Sequence, residues 1–90
     1  MYYPYCTMYD KIEVVHTPLS SDGFVTVHFK EPDAIYDFKE LDCLIPTYRV
    51  SNIVGFSDTE ASALVDFCIR NSGIILSVAK QGGIANAEYI

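Results

Sequence analysis

The sequence predicts an α+β domain in which an antiparallel sheet of three to four strands is followed by a C-terminal helical unit packed on one face. Apolar and polar residues alternate in the first half of the chain, as in strands with one buried face. Apolar residues recur at helical spacing only after residue 57. A short turn signal at residues 20–23 favours antiparallel neighbours, and strands followed by helices favour segregated layers.

Length and composition bound the class of protein. Ninety residues suit a single domain over residues 1–90, and an apolar share of 50% is typical of a folded chain. Twelve acidic residues against six basic ones give a net charge of −6, which argues against direct binding to nucleic acid. The longest nearly apolar run, residues 74–79, is too short to span a membrane. No basic segment followed by an apolar stretch opens the chain, so we expect a cytoplasmic protein.

The first strands follow from alternation and from proline. Residues 1–7 hold three tyrosines around a proline, which predicts an extended lead-in. Residues 8–16 predict a first strand, and Pro18 ends it because proline cannot donate to a ladder. Residues 24–30 form the clearest strand, since apolar Val25, Val27 and Phe29 alternate with polar residues.

The middle of the chain is harder to assign. Pro32 is expected to close the preceding strand, and residues 34–39 predict a third one. Residues 41–46 are compatible with either a turn of helix or a loop. Residues 48–54 are compatible with a fourth strand or with a connector.

The helical unit begins with a recognisable signal. Ser57 followed three residues later by Glu60 matches a capping box, in which each residue satisfies the other's backbone N–H. One apolar stripe then follows at positions 0, 3, 4 and 7, formed by Ala61, Leu64, Val65 and Cys68. This helix is expected to end near residues 71–73, where polar residues precede Gly73.

A second helical segment is predicted over about residues 74–81, ended by Gly82 and Gly83. Gly73 either divides two helices or is a weak point in one, and we favour one bent or broken unit. Residues 84–90 form a tail that either docks on the sheet or frays. The expected core consists of Ile12, Val14, Val25, Val27, Phe29, Leu64, Val65, Cys68, Ile75 and Val78.

The two histidines raise the question of a metal pair. Direct pairing of His16 with His28 would set Ile12 and Val14 opposite polar residues of the next strand. An alignment shifted by one residue puts the apolar residues of both strands on one face, so burial selects it. His16 and His28 then point to opposite faces. We therefore predict no metal site, and we expect His28 to be solvated on the polar face.

The three cysteines give no sign of catalysis. Cys6, Cys43 and Cys68 are too widely spaced for a CxxC pair and read as reduced thiols. Cys68 lies on the apolar stripe, which indicates a core thiol. Cys43 follows Asp42, whose negative charge is expected to raise the pKa of the thiol. We predict no catalytic residue and no cofactor. Gly82 and Gly83 follow a helix, whereas phosphate-binding glycines precede one.

The acidic stretch between Glu31 and Asp42 is the feature with a specific functional interpretation. Five carboxylates are interrupted there by Tyr36 and Phe38. An anionic face with aromatic anchors suits a basic protein partner, such as one that normally holds nucleic acid. The alternative is a solvated sheet edge whose charges prevent aggregation. The candidate partner-binding residues are Asp33, Tyr36, Asp37, Glu40 and Asp42.

Four strings carry a resemblance. Residues 36–41 (YDFKEL), 44–49 (LIPTYR), 55–57 (GFS) and 79–83 (AKQGG) resemble small uncharacterised proteins of bacterial mobile elements and prophages. The resemblance supplies no catalytic residue. It implies only a setting in which short acidic proteins act by binding, as anti-CRISPR proteins and other inhibitors of host defence do.

The resulting hypothesis is a non-enzymatic protein-binding module, an inhibitor that uses an acidic, tyrosine-bearing surface. A first alternative is an antitoxin-like or regulatory module that forms a homodimer through an exposed strand edge or the tyrosine-rich N-terminus. A second alternative is a small enzyme that uses Cys43 or a histidine. We expect no direct contact with nucleic acid or with a membrane.

Overall fold

The computed structural model describes residues 2–82 and contains a five-stranded sheet followed by one helix. Each strand pairs antiparallel with the next, in the spatial order β1-β2-β3-β4-β5. The α+β class and the order of strands before helix are confirmed, whereas the predicted number of strands was one or two too low. The elements are β1 (Tyr3–Met8), β2 (Ile12–His16), β3 (Val25–Asp33), β4 (Asp37–Ile45), β5 (Arg49–Val54) and α1 (Asp58–Lys80).

The N-terminal segment is a strand rather than a lead-in. The strand predicted over residues 8–16 is divided by a tight turn in which Tyr9 and Asp10 have φ values of 53° and 58°. The N–H of Lys11 donates to the carbonyl of Met8 at 3.0 Å and closes that turn. Two successive left-handed residues usually include glycine, and none is present here, so the sequence carried no signal for the turn.

The β3–β4 hairpin also differs from the prediction. Pro32 lies within β3, opposite Phe38, because the pairing of β2 with β3 ends at Glu13 and Lys30. Beyond that pair, the missing N–H of Pro32 interrupts no ladder toward β2. Residues 34–36 form the turn instead of a third strand, and β4 takes in most of residues 41–46.

The start of α1 is confirmed. The Ser57 hydroxyl accepts from the N–H of Glu60 at 3.2 Å, and the Glu60 carboxylate accepts from the N–H of Ser57 at 2.9 Å. The helix then continues to Lys80 without a break at Gly73, so the predicted end near residues 71–73 was wrong. Gly82 follows with a φ of 88°, and Gly83 and residues 84–90 lie outside the described part of the chain.

Two tyrosines, one in β1 and one in the turn between β4 and β5, explain why the helix continues. The hydroxyl of Tyr5 donates to the side-chain carbonyl of Asn71 at 3.2 Å. The hydroxyl of Tyr48 donates to the hydroxyl of Ser72 at 2.9 Å. The polar residues that suggested a helix end are therefore hydrogen-bonded to β1 and to the turn between β4 and β5.

The core lies between α1 and one face of the sheet. Val65 and Val78 are half-buried, while the other predicted core residues are buried. Val14 is aligned with Phe29 and His16 with Val27, which confirms the register and places the two histidines on opposite faces. The core also includes residues that were not predicted, namely Leu41, Cys43, Ile45, Phe56 and Ala79.

Replacement of Gly73 by alanine is expected to raise the free energy of unfolding by about 1 kcal/mol, the cost of glycine inside a helix. A Cβ at this position would meet no atom within 4 Å. Urea denaturation measures the change. Gly55→Ala is the matched control and should be destabilising, because its φ is 81° and its Cβ would lie 2.8 Å from Cγ of Lys39. A neutral or destabilising Gly73→Ala would contradict a continuous helix.

Candidate functional site

The five predicted partner-binding residues lie on two surfaces. Asp33, Tyr36 and Asp37 lie at the end of the β3–β4 hairpin, in the turn and the two strand residues that flank it, which we call the hairpin tip (residues 33–37). Glu40 and Asp42 lie within β4, where they alternate with buried Leu41 and Cys43. Because side chains alternate across a strand, both point to the sheet face opposite α1, which we call the open face. The predicted acidic surface is thus divided.

The hairpin tip is held by a hydrogen-bonded turn. The Asp33 carboxylate accepts from the backbone N–H groups of Tyr36 at 3.0 Å and Ile35 at 2.9 Å. These two hydrogen bonds hold the pKa of Asp33 below its ordinary value, and the bond from Tyr36 has the larger effect. Ile35 is 85% exposed and Tyr36 is 53% exposed. The tip therefore presents two large side chains between the carboxylates of Asp33 and Asp37.

Glu40 and Asp42 surround His28 on the open face. Asp42 is hydrogen-bonded to Nδ1 of His28, and a Glu40 oxygen lies 3.6 Å from Nε2. The amide of Asn52 donates to the other Asp42 oxygen at 3.4 Å. The ring of Tyr2 stacks on that of His28 with centroids 5.2 Å apart. The His28 side chain is only 13% exposed, so the expectation of a solvated histidine was wrong.

This arrangement limits what the open-face cluster can do. A ring nitrogen that carries a hydrogen donates to the carboxylate beside it. Each of Glu40 and Asp42 therefore directs one carboxylate oxygen at His28 instead of at a partner. Both ring nitrogens face carboxylates, which leaves His28 poorly placed to accept a proton from a substrate.

The other histidine is a core residue. His16 is completely buried, and its Nδ1 donates to the carbonyl of Thr17 at 2.9 Å. The rings of Tyr3 and Tyr5 lie beside it, with centroids 5.7 and 6.3 Å away. Among residues 2–82, no group of three or more His, Cys, Asp or Glu side chains is arranged to hold a metal ion.

Two of the thiols meet inside the core. Cys43 of β4 and Cys68 of α1 are fully buried. The interaction between the two thiols lowers the pKa of Cys43 and raises that of Cys68, which burial raises further. The prediction that Asp42 raises the pKa of Cys43 was wrong, because Asp42 lies on the opposite face of β4. Cys6 is exposed in β1, and its partial desolvation raises the pKa of its thiol.

Two concave features were not anticipated from the sequence. A groove of about 570 Å³ runs between α1 and β5, which lies at the sheet edge. Its apolar lining comes from both elements, and Asp58 and Asp66 also line it. A cavity of about 370 Å³ lies between the start of β2, β3 and the first turns of α1. The sequence did not predict either feature, because it left open the boundaries of the strands that line them.

The helix α1 exposes much apolar surface. By length and composition alone it is long enough and apolar enough to cross a membrane. One window of the helix has a mean hydropathy of 1.3, and 17% of that window is buried. One such helix is weak evidence of a membrane span. Exposed Ile69 and Ile74 contribute to this surface.

Comparison with known proteins found no matching family model, no matching curated protein and no matching solved structure. Function is therefore inferred from the surfaces of this chain.

Native iodoacetamide treatment is expected to modify Cys6 and to leave Cys43 and Cys68 unmodified, because both are fully buried. Intact-mass spectrometry should show one adduct in buffer and three in denaturant. Rapid modification of Cys43 in the folded protein would contradict this expectation and would favour the cysteine-enzyme alternative.

The hydrogen bonds to Asp33 also predict a pH dependence. Because the folded-state pKa of Asp33 is lowered, its contribution is present above the ordinary carboxyl pKa of about 4 and is lost as the pH falls through the folded-state value. The urea midpoint of Asp33→Asn should therefore fall less than that of the wild type between neutral and acidic pH. Asp22→Asn, at an exposed turn position, serves as the control. Identical pH profiles of wild type and Asp33→Asn would contradict the assignment.

Proposed function

We propose that this chain is a non-enzymatic protein-binding module that contacts its partner mainly through the hairpin tip. The supporting observation is the exposure of Ile35 and Tyr36 in a turn held by Asp33. Large apolar and aromatic side chains at the centre of a contact supply most of the binding energy in many interfaces. A turn that is already hydrogen-bonded loses less conformational entropy when it binds.

The charge around the tip defines the chemistry of the partner. Asp33 and Asp37 flank the two anchors, and the chain carries a net charge of −6. The fitting partner has an apolar pocket with a basic rim, as a nucleic-acid-binding protein does beside its phosphate site. The negative field accelerates encounter with such a surface. Occupation of a phosphate-binding surface would make this chain an inhibitor, in the setting that the resemblance to mobile-element proteins implies. We also propose a cytoplasmic location.

The open-face carboxylates have a secondary part in this proposal. Glu40 and Asp42 each direct a carboxylate oxygen at His28, which leaves fewer of their oxygens free to bind a partner. Cys43 is buried, and carboxylates lie around His28. Both observations support a binding function over a catalytic one. Neutralising all the acidic residues together would also remove the turn support of Asp33. The sharper test therefore changes the exposed anchors.

The double substitution Ile35→Ser with Tyr36→Ala is expected to weaken partner binding by about thirtyfold, the effect of losing roughly 2 kcal/mol from one interface hot spot. The tagged wild type and variant are used to capture protein from a native bacterial lysate, and bound proteins are quantified by mass spectrometry. Circular dichroism confirms the fold of each variant. Asp37→Asn should weaken capture less and reduce its salt dependence.

Ile53→Ser with Ile69→Ser is the matched control, because both side chains are exposed apolar residues outside the tip. This variant should capture the same basic protein as the wild type. Capture that survives the tip substitutions, or a partner that is lost only with the control variant, would overturn the hairpin-tip proposal.

The second candidate function is a regulatory or antitoxin-like homodimer, and the groove between α1 and β5 favours it. An edge strand presents unpaired backbone groups that a second copy can use. The apolar lining residues are Val50, Ile53, Ala61, Val65 and Ile69. The tyrosine-rich N-terminus is less suited to dimerisation, because Tyr5 packs against His16 and Phe67 within the chain.

Sedimentation equilibrium tests the homodimer directly. If the groove mediates dimerisation, mass should rise with concentration, and Ile53→Ser with Ile69→Ser should restore the monomer. A wild-type mass that stays monomeric at high concentration would dispose of the homodimer and leave the protein-binding module.

A further inference from the structure

The cavity beside the start of α1 has room for an organic molecule of two fused rings. Its volume is about 370 Å³, whereas an apolar cavity of about 150 Å³ is already large enough to bind benzene. Ile12, Phe56 and Leu64 are buried core residues that form its apolar walls. Water beside such walls finds few hydrogen-bond partners, so its displacement by an apolar molecule is favourable. None of the lining residues belongs to the hairpin tip, which makes the cavity separate from the proposed protein contact.

The charged groups beside the cavity balance one another. The Glu31 carboxylate lies 3.8 Å from Nζ of Lys39 and 4.0 Å from Nζ of Lys11. The Glu60 carboxylate lies 3.6 Å from the same Lys39 nitrogen. Two carboxylates thus face two ammonium groups. A charged ligand would lose its hydration here without gaining a free partner of opposite charge, so the lining favours an uncharged molecule.

Tyr9 lies at the mouth of the cavity. It is one of the lining residues and is nevertheless 70% exposed. Its place is set by the turn between β1 and β2, in which Tyr9 and Asp10 both have left-handed φ values. This backbone conformation is unfavourable for any residue that carries a Cβ, and strain of this kind is concentrated at functional sites. The strained turn therefore holds an aromatic residue where it can cover a molecule inside the cavity.

We propose that the cavity binds an uncharged, planar aromatic molecule of about the size of indole. The ring packs against Ile12, Phe56 and Leu64, and Tyr9 covers the side that is open to solvent. An aromatic ligand suits this lining because Phe56 and Tyr9 offer ring contacts in addition to apolar area. Binding removes apolar surface of both molecules from water. The site involves no covalent step, and it is independent of whether the hairpin tip binds protein.

Titration of the ¹⁵N-labelled full chain with indole, followed by NMR, tests this proposal. We expect a Kd of about 1 mM or lower, with shifts at the amides of lining residues such as Lys11, Glu31 and Ala63. Tryptamine and indole-3-acetate carry the same ring with a positive and a negative group. Each should bind at least about tenfold more weakly than indole, a difference of about 1.4 kcal/mol.

Tyr9→Ser removes the aromatic side chain at the mouth and is expected to weaken indole binding by about tenfold, because the ring contact and its buried apolar area are lost. Since Tyr9 is exposed, the melting temperature should stay near that of the wild type. Tyr36→Ser is the matched control, because Tyr36 is an exposed tyrosine of the hairpin tip outside the cavity. This variant should bind indole as the wild type does.

Ala63→Trp fills the cavity from the protein itself. The chain contains no tryptophan, so the new indole ring is its only tryptophan fluorophore. Ala63 is an exposed lining residue on α1, and we expect the ring to enter the cavity and to block added indole. Its emission should lie at shorter wavelength than that of Ser77→Trp, an exposed position of α1 that does not line the cavity.

Absence of shifts at the lining amides up to about 10 mM indole, ten times the weakest Kd expected, would overturn the site. Equal or tighter binding of tryptamine or of indole-3-acetate would overturn the uncharged ligand. Indole binding that is unchanged in Ala63→Trp, or in Tyr9→Ser, would place the ring elsewhere on the molecule and would also overturn the proposal.

Discussion

The alignment of Val14 with Phe29 is the contact on which most of this structure depends. Both side chains are completely buried beneath α1. Because successive side chains of a strand point to opposite faces, this one register decides which residues face the helix. It takes His16 into the core with Val27 and leaves His28 on the open face. A shift of β2 by one residue against β3 would turn Val14 to the open face, and the burial of such a side chain is worth about 1.5–3 kcal/mol.

The same alternation divides a continuous acidic segment into three places. Glu31 faces α1 and closes one side of the cavity, Asp33 holds the hairpin turn, and Asp42 faces His28 on the open side. Proximity in sequence is therefore a poor guide to a charged surface in a sheet. A carboxylate already engaged with a histidine or with backbone N–H groups offers a partner less than its formal charge suggests. Specificity then depends more on the apolar anchors at the hairpin tip.

The parts of the fold that the sequence predicted are those set by local chemistry. Alternation at Val25 and Phe29 gave β3 and its register, and Ser57 with its partner three residues later gave the helix start. The remainder depends on distant residues. Hydrogen bonds from Tyr5 and Tyr48 stabilise the polar middle of α1, and no local pattern reveals them. The division of the acidic residues between surfaces required the boundary of β4, which the sequence left open.

At Glu31 the sequence held a signal whose meaning depends on residues far away in the chain. Glu31 is the next inward-facing position after Val27 and Phe29, so alternation alone places an acid in the core. Its ion-pair partners are Lys39 of β4 and Lys11 of the turn before β2, and no fixed sequence spacing links the three residues. A buried ion pair contributes little to stability compared with apolar residues of similar volume. An apolar side chain at position 31 would therefore pack as well as this carboxylate does.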